Sequence, residues 1–346
     1  MKQVFRVLVG CTLAGALALT GCSRGGSSGS SSGSHSSMNS SSAGGSMAGQ
    51  EQAWRTGLGV VTEAAGSDRA GKITTAAAAV VLDADGKLAD VMLDELEISV
   101  TAENTGKVTT PEDVRSKRTK GADYPLAAAS SLGKGWAEQA DHFADYLTGK
   151  TPDEVKNLKT DDDGKPQDAD LLSGCTIAVD RYRDAVVRAC EQAKALGAAK
   201  GDTVALNLLA ADLPQDLTAT DDQDAHARAD ITLVALTMDE EGRVTSAIGD
   251  MVQPQLTISA DGTVSGPDEP VYTKNEQGDT YGMREASTLN KEWYEHAEGY
   301  CDYLKGKTMA EIAAIPTDGS DADLAALCTI SVTDLQKAAL AALAGK

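Results

Sequence analysis

Aromatic side chains are scarce in this 346-residue chain, with two Phe, three Trp and eight Tyr making up 4% of it. Its cores must therefore be built from small aliphatic residues, and Ala, Val and Leu are plentiful. Positive charge is also in short supply: 31 Lys and Arg stand against 52 Asp and Glu, a formal net charge of −21. So acidic a chain argues against nucleic acid and against anionic lipid surfaces as partners. No His-Glu-x-x-His or phosphate-binding Gly-Lys motif occurs, and Gly-x-Ser-x-Gly arises only within the Gly/Ser-rich stretch near the N-terminus, where serine is concentrated, so an enzyme with its own catalytic constellation is not expected. No Cys-x-x-Cys or Cys/His spacing suggests zinc, and Asp161-Asp-Asp-Gly164 fails as a calcium loop because Lys159 stands where the first acid should be. No metal is expected.

What is present begins with an export signal. Lys2 and Arg6 form a short positive region, and Val7 to Leu19 is a nearly unbroken apolar run. That run is shorter than the roughly 20 apolar residues of a membrane span and fits the core of a signal peptide. Leu19-Thr20-Gly21-Cys22 ends it and resembles the bacterial lipobox, which makes residues 1–21 a lipoprotein signal peptide and Cys22 the lipidated residue. Residues 22–50 are nearly all Ser, Gly, Ala and Met, a composition unable to offset chain entropy by burial, and are expected to form a disordered tether. The implied location is extracytoplasmic, anchored to the cell membrane or surface through lipid.

The rest of the chain is a duplication. Trp136-Ala-Glu-Gln-Ala-Asp-His-Phe-Ala-Asp-Tyr-Leu-Thr-Gly-Lys150 matches Trp293-Tyr-Glu-His-Ala-Glu-Gly-Tyr-Cys-Asp-Tyr-Leu-Lys-Gly-Lys307. Further on, Asp168-Ala-Asp-Leu-Leu-Ser-Gly-Cys-Thr-Ile177 answers Asp321-Ala-Asp-Leu-Ala-Ala-Leu-Cys-Thr-Ile330. Residues 51–198 and 199–346 are read as two tandem repeats, and a fragment from about residue 200 onward is expected to fold alone. Each copy opens with apolar, strand-like runs, Ile73–Leu82 and Asp230–Met238, that reach acidic Gly turns at Gly86 and Gly242. A helix follows in each, from about Pro125 to Leu147 and from about Met283 to Leu304, stopped at Gly149 and Gly306. Strands first and helices after predict an α+β fold, an antiparallel sheet packed by helices in each copy. Four cysteines remain after the signal and Cys22, which allows three pairings. Cys301–Cys328 is the expected pair if the second long helix packs on the following loop.

The series Trp-…-Phe/Tyr-…-Tyr-Leu-x-Gly-Lys, then Asp-x-x-Ser-Gly-Cys-Thr-Ile, then an Ala/Val-rich helix resembles the FMN-binding domain, the module of quinone-reductase flavin subunits and of flavinylated surface lipoproteins. The resemblance implies a loop Asp-x-x-Ser/Thr-Gly-Ala-Thr/Ser-x-Thr whose last hydroxyl accepts the FMN phosphate. In the first copy Asp170, Ser173, Gly174 and Thr176 match that pattern, but Ala178 stands where the acceptor should be. In the second, Asp323 and Thr329 match and Ser331 takes the acceptor position, but Ala326-Leu327 replaces Ser-Gly. Neither copy carries the whole acceptor, so FMN is a possible cofactor rather than an expected one. The sequence reads best as a non-enzymatic module for a small ligand or an envelope protein. An electron-transfer flavoprotein and an envelope spacer are the alternatives.

Overall fold

The computed structural model describes residues 53–211 and 213–345. The expected signal peptide, Cys22 and the tether lie outside the described residues.

The first copy folds as one antiparallel sheet of strands β1 (Arg55–Ser67), β2 (Ala70–Leu82), β3 (Leu88–Ala102) and β4 (Val108–Thr109), in that order. The second copy has β5 (Thr203–Ala210), β6 (Ala225–Arg228), β7 (Ile231–Met238), β8 (Val244–Val252), β9 (Gln255–Ile258) and β10 (Val264–Ser265). Here the long hairpin is broken in two. Strands β5-β7-β8 form one antiparallel sheet and β10-β9-β6 another. The break falls at Pro254, which has no N–H to continue a ladder.

The tight turns are closed by the acids read from the sequence. Asp83 accepts the N–H groups of Asp85 and Lys87, and Asp239 accepts those of Glu241 and Arg243. Both turns end on a glycine at positive φ, Gly86 at 78° and Gly242 at 72°.

Alternation along the strands decides the layering. On β2, Ile73, Ala77, Ala79 and Val81 enter one core while Ala76, Ala78, Val80 and Leu82 enter another. On β5 and β7, Val204, Leu206, Leu208, Ile231, Leu233 and Ala235 join that same first core, and Ala205, Val234 and Leu236 turn to a third. The sheets of the two copies therefore stand face to face over a shared apolar layer. Helices Trp136–Leu147 and Asp180–Glu191 cover the outer face of the first sheet, and Trp293–Leu304 and Thr333–Ala344 cover that of the second.

Three sequence expectations are corrected. The long helices begin at Trp136 and Trp293, not near Pro125 and Met283. The preceding residues make short turns instead, because Gly133 takes φ 64° and Asn290 φ 53°, both incompatible with a continuous helix. Strands β1 and β5 precede the runs read as opening each copy. Gly57 and Gly59 hide β1 in the sequence, and the structure needs them small: a Cβ at Gly57 would fall 1.9 Å from the Ala189 carbonyl oxygen, and one at Gly59 2.0 Å from that of Ala185. Finally, Cys301 and Cys328 share the third core, as the packing argument required, but stand there as free buried thiols rather than as the expected disulfide.

Candidate functional site

The two loops that resemble flavin acceptors are bound up with their own surroundings. In the first copy Asp168 caps the short helix Ala169–Leu172, accepting from Asp170 N at 2.9 Å and Leu171 N at 3.3 Å. Ser173 Oγ donates back to Asp170 O at 2.7 Å. Thr176 donates both its N–H and its hydroxyl to Gln139 Oε1, at 2.9 and 3.1 Å. Gly174 is buried under His142, whose ring would lie 2.4 Å from an added Cβ. Asp170, Ser173, Gly174 and Thr176 do come together in one loop, with Ala178 exposed at its end.

In the second copy Thr329 N donates to His296 Nδ1 at 3.2 Å, which leaves the ring proton on Nε2 to bond Ser287 Oγ at 2.8 Å. Burial, then the charge of Lys291, holds the His296 pKa below its ordinary value, so the ring is a neutral clip for the loop. Thr329 and Ser331 line a small cleft of about 360 Å³ with Cys328, Asp318 and Asp321, whereas Asp323 lies exposed outside it.

These residues do not fit a flavin phosphate. The N–H groups of Thr176 and Thr329 are already used, and the His142 ring occupies the approach over Gly174. The Ser320 hydroxyl and N–H hold Asp318 below the usual carboxylate range. The Leu324 N–H and the Tyr303 hydroxyl do the same for Asp321, so the second cleft is anionic. Asp180 and Asp334 in the first turns of the following helices add charge of the same sign.

A larger cavity lies elsewhere, between the copies. Its volume is about 680 Å³, within the range of small-molecule pockets. Strand β1 and the segment after helix Asp180–Glu191 form one wall, with Leu58 and Leu196, and β8 with its neighbouring helices forms the other. The second wall presents Ile248, Gly249, Asp250, Asn275, Glu298 and Cys301. A chain of hydroxyls joins the two copies beside it: Thr56 Oγ1 to Ser246 Oγ at 2.6 Å, then Thr237 Oγ1 at 2.6 Å, then Thr245 Oγ1 at 2.7 Å.

The polar end of the cavity is built by a motif present in both copies. A buried Asp on the strand, Asp94 or Asp250, accepts the N–H of a following-helix residue, Arg118 or Asn275, at 3.0 Å in each case. Burial raises Asp94 to about 6, against hydrogen bonds from Ser116 and the charge of Arg118. Asp250 is raised to about 7 by burial, opposed by Thr273 and the N–H groups of Asn275 and Met251 and reinforced by Glu276. The neighbouring lysines differ. Lys117 is paired with Glu95 at 2.7 Å and Glu97 at 3.2 Å, while Lys274 lies 4.7 Å from the Tyr281 ring and 5.0 Å from that of Trp293. The residues of this cavity escaped sequence reading. Their signal was a difference between the copies, Arg118 against Asn275.

Among the described residues no cluster of three or more His, Cys, Asp or Glu side chains is arranged to hold a metal, and no helix is long and apolar enough to cross a membrane. The fold defines a mixed α+β protein with antiparallel sheets and a cleft between its two copies. A stretch of 104 residues is 32% identical to a chlorophenol reductase of Desulfitobacterium hafniense, covering 26% of this chain and 31% of that protein. No protein-family model matches the chain, and no solved structure matches it.

Proposed function

We propose that this protein is a non-enzymatic binding module, lipid-anchored through Cys22 at the cell envelope, that holds a small molecule in the cleft between its two repeats. The observation that carries the reading is the 680 Å³ cavity with apolar walls at Leu58 and Ile248 and a polar end at the buried Asp250 and the half-buried Asn275. Such a mixture of apolar lining and few convergent polar groups is what small-molecule sites share. A second reading, an electron-transfer flavoprotein, draws on the partial similarity to a protein named as a reductase.

The purified full-length protein is expected to show no flavin absorbance near 450 nm and to release a colourless small molecule on denaturation, identified by mass spectrometry. Asn275→Trp, which fills the cleft, should abolish that retention. A yellow protein that releases FMN, or a ligand whose retention survives Asn275→Trp, would decide for the flavin reading or against the cleft. The anchor is tested separately: Cys22→Ala should move the protein from the membrane fraction to the medium, and unchanged membrane retention would refute lipidation.

A further inference from the structure

The cleft has the shape of a side chain that the first copy possesses and the second lacks. In the first copy Arg118 Nε donates to Leu93 O at 3.0 Å, and a terminal nitrogen of the same guanidinium donates to Asp141 at 2.8 Å. The guanidinium thus bridges a strand carbonyl and a helix carboxylate, with its central carbon 5.7 Å from the Trp136 ring. The matching residues of the second copy are Gly249, Asn275 and Glu298. Asn275 Nδ2 reaches the same carbonyl, donating to Gly249 O at 2.9 Å. It is too short to continue to Glu298. Strand carbonyl, helix carboxylate and the space between them are all retained, and only the cation is missing.

The electrostatics have the matching sign. Glu191, Asp250, Glu276, Glu298 and Asp302 line the cleft with Lys194, while Arg188 meets Glu276 at 3.3 Å and Lys305 meets Asp302 at 2.8 Å. Lys194 meets Glu298 at 2.8 Å from the solvent side, its side chain 62% exposed. Inside, Asn275 Oδ1 is buried with no hydrogen-bond partner, and a carbonyl such as that of Gly249 accepts a second bond. Both acceptors call for N–H donors. A cation there would also restore to Asp250 the positive neighbour that Asp94 has in Arg118. The volume left over, bounded by Leu58 and Ile248, suits an aliphatic body.

We propose that the cleft binds an organic cation, its guanidinium or primary-ammonium head seated between Gly249 O, Asn275 Oδ1 and Glu298 and its apolar body along Leu58 and Ile248. This rests on the reading of the cleft as the ligand site and names the class of ligand. The test is calorimetric titration of the full-length protein with n-butylguanidinium and with its neutral analogue n-butylurea. Butylguanidinium should bind at least tenfold more tightly. Asn275→Arg, which rebuilds the first copy's guanidinium in place, should weaken binding at least tenfold without lowering the melting temperature. Glu298→Gln, at an exposed helix position, should weaken the cation and leave butylurea unaffected. Equal binding of both probes, each blocked by Asn275→Arg, would overturn the cation class while leaving the cleft as a ligand site. Butylguanidinium binding indifferent to Asn275→Arg would place the cation elsewhere and overturn the assignment. Binding of neither probe would overturn it too, and a neutral molecule recovered from the purified protein would then still support the cleft reading.

Discussion

Asp94 and Asp250 occupy matching buried positions, and both are carboxyls that burial pushes towards neutral pH. The consequence for stability has a definite sign. A native pKa raised above the unfolded one means that the folded protein holds a proton the unfolded chain has released. Stability from this source is fully present below the ordinary carboxylate pKa, near 4, and is lost as pH rises towards the native value of about 7 at Asp250. The slope is at most about 1.4 kcal/mol per pH unit for one group. Asp250→Asn should keep an acceptor for the N–H groups of Met251 and Asn275 while removing the titration. Denaturant titrations between pH 5 and pH 8 should show wild type losing stability relative to the variant. Parallel curves for the two proteins would show that Asp250 does not titrate in this range. The exposed caps act in the opposite direction: Asp168 and Asp321, held low by the N–H groups they accept, contribute stability that is lost only as acid protonates them.

At the scale of elements, the outer helices depend on small residues in the strand beneath them. Helix Asp180–Glu191 lies so close to β1 that the backbone carbonyls of Ala185 and Ala189 occupy the space where Gly59 and Gly57 would carry a Cβ. The Ala185 carbonyl, mid-helix, cannot swing aside without breaking the helix. Gly59→Val should therefore cost at least about 2 kcal/mol by overpacking. Gly133→Ala is the control, since φ there is 64° but nothing lies within 4 Å of the added Cβ. It should cost about 1 kcal/mol, the strain of the left-handed backbone alone. Equal losses for the two variants in urea melts would mean that the helix yields and that the close approach is not required. Thr151 with Glu154, and Thr308 with Glu311, make matching capping boxes that start the short helices Pro152–Lys156 and Met309–Ala313.

For the whole molecule the decisive feature is the shared layer between the sheets. Leu206, Leu208, Ile231 and Leu233 of the second copy are buried against residues such as Ile73, Leu96 and Ile98 of the first. Each repeat contains a full set of elements, but this layer is shared between the two. Residues 199–346 expressed alone would expose that apolar face. The fragment is expected to keep far-UV helical signal, bind ANS and lack near-UV circular dichroism. A cooperative melt with dispersed amide resonances would show instead that one sheet and its helices suffice. Within the whole protein, Leu206→Ala should cost about 2–5 kcal/mol, as for other large-to-small changes in a core.

The duplication was legible because it is written in identities, Trp136 with Trp293 and Asp145-Tyr-Leu with Asp302-Tyr-Leu, and it carried the α+β order with it. The acidic turns at Asp83 and Asp239 were legible for the same reason, since a carboxylate that caps its own turn acts locally. Strand β1 was not, because Gly57 and Gly59 lower strand propensity and make sense only once a helix lies on them. Nor was the pairing of the sheets: Ile73–Leu82 is apolar at every position but its threonines, so the sequence shows that both faces are buried without saying what covers each. The cleft depended on tertiary structure throughout. Arg118 against Asn275 is an ordinary substitution in a linear alignment. It becomes a cavity with a missing cation only because folding places a strand carbonyl and a helix carboxylate within reach of one guanidinium, an arrangement set by packing between segments distant in the chain.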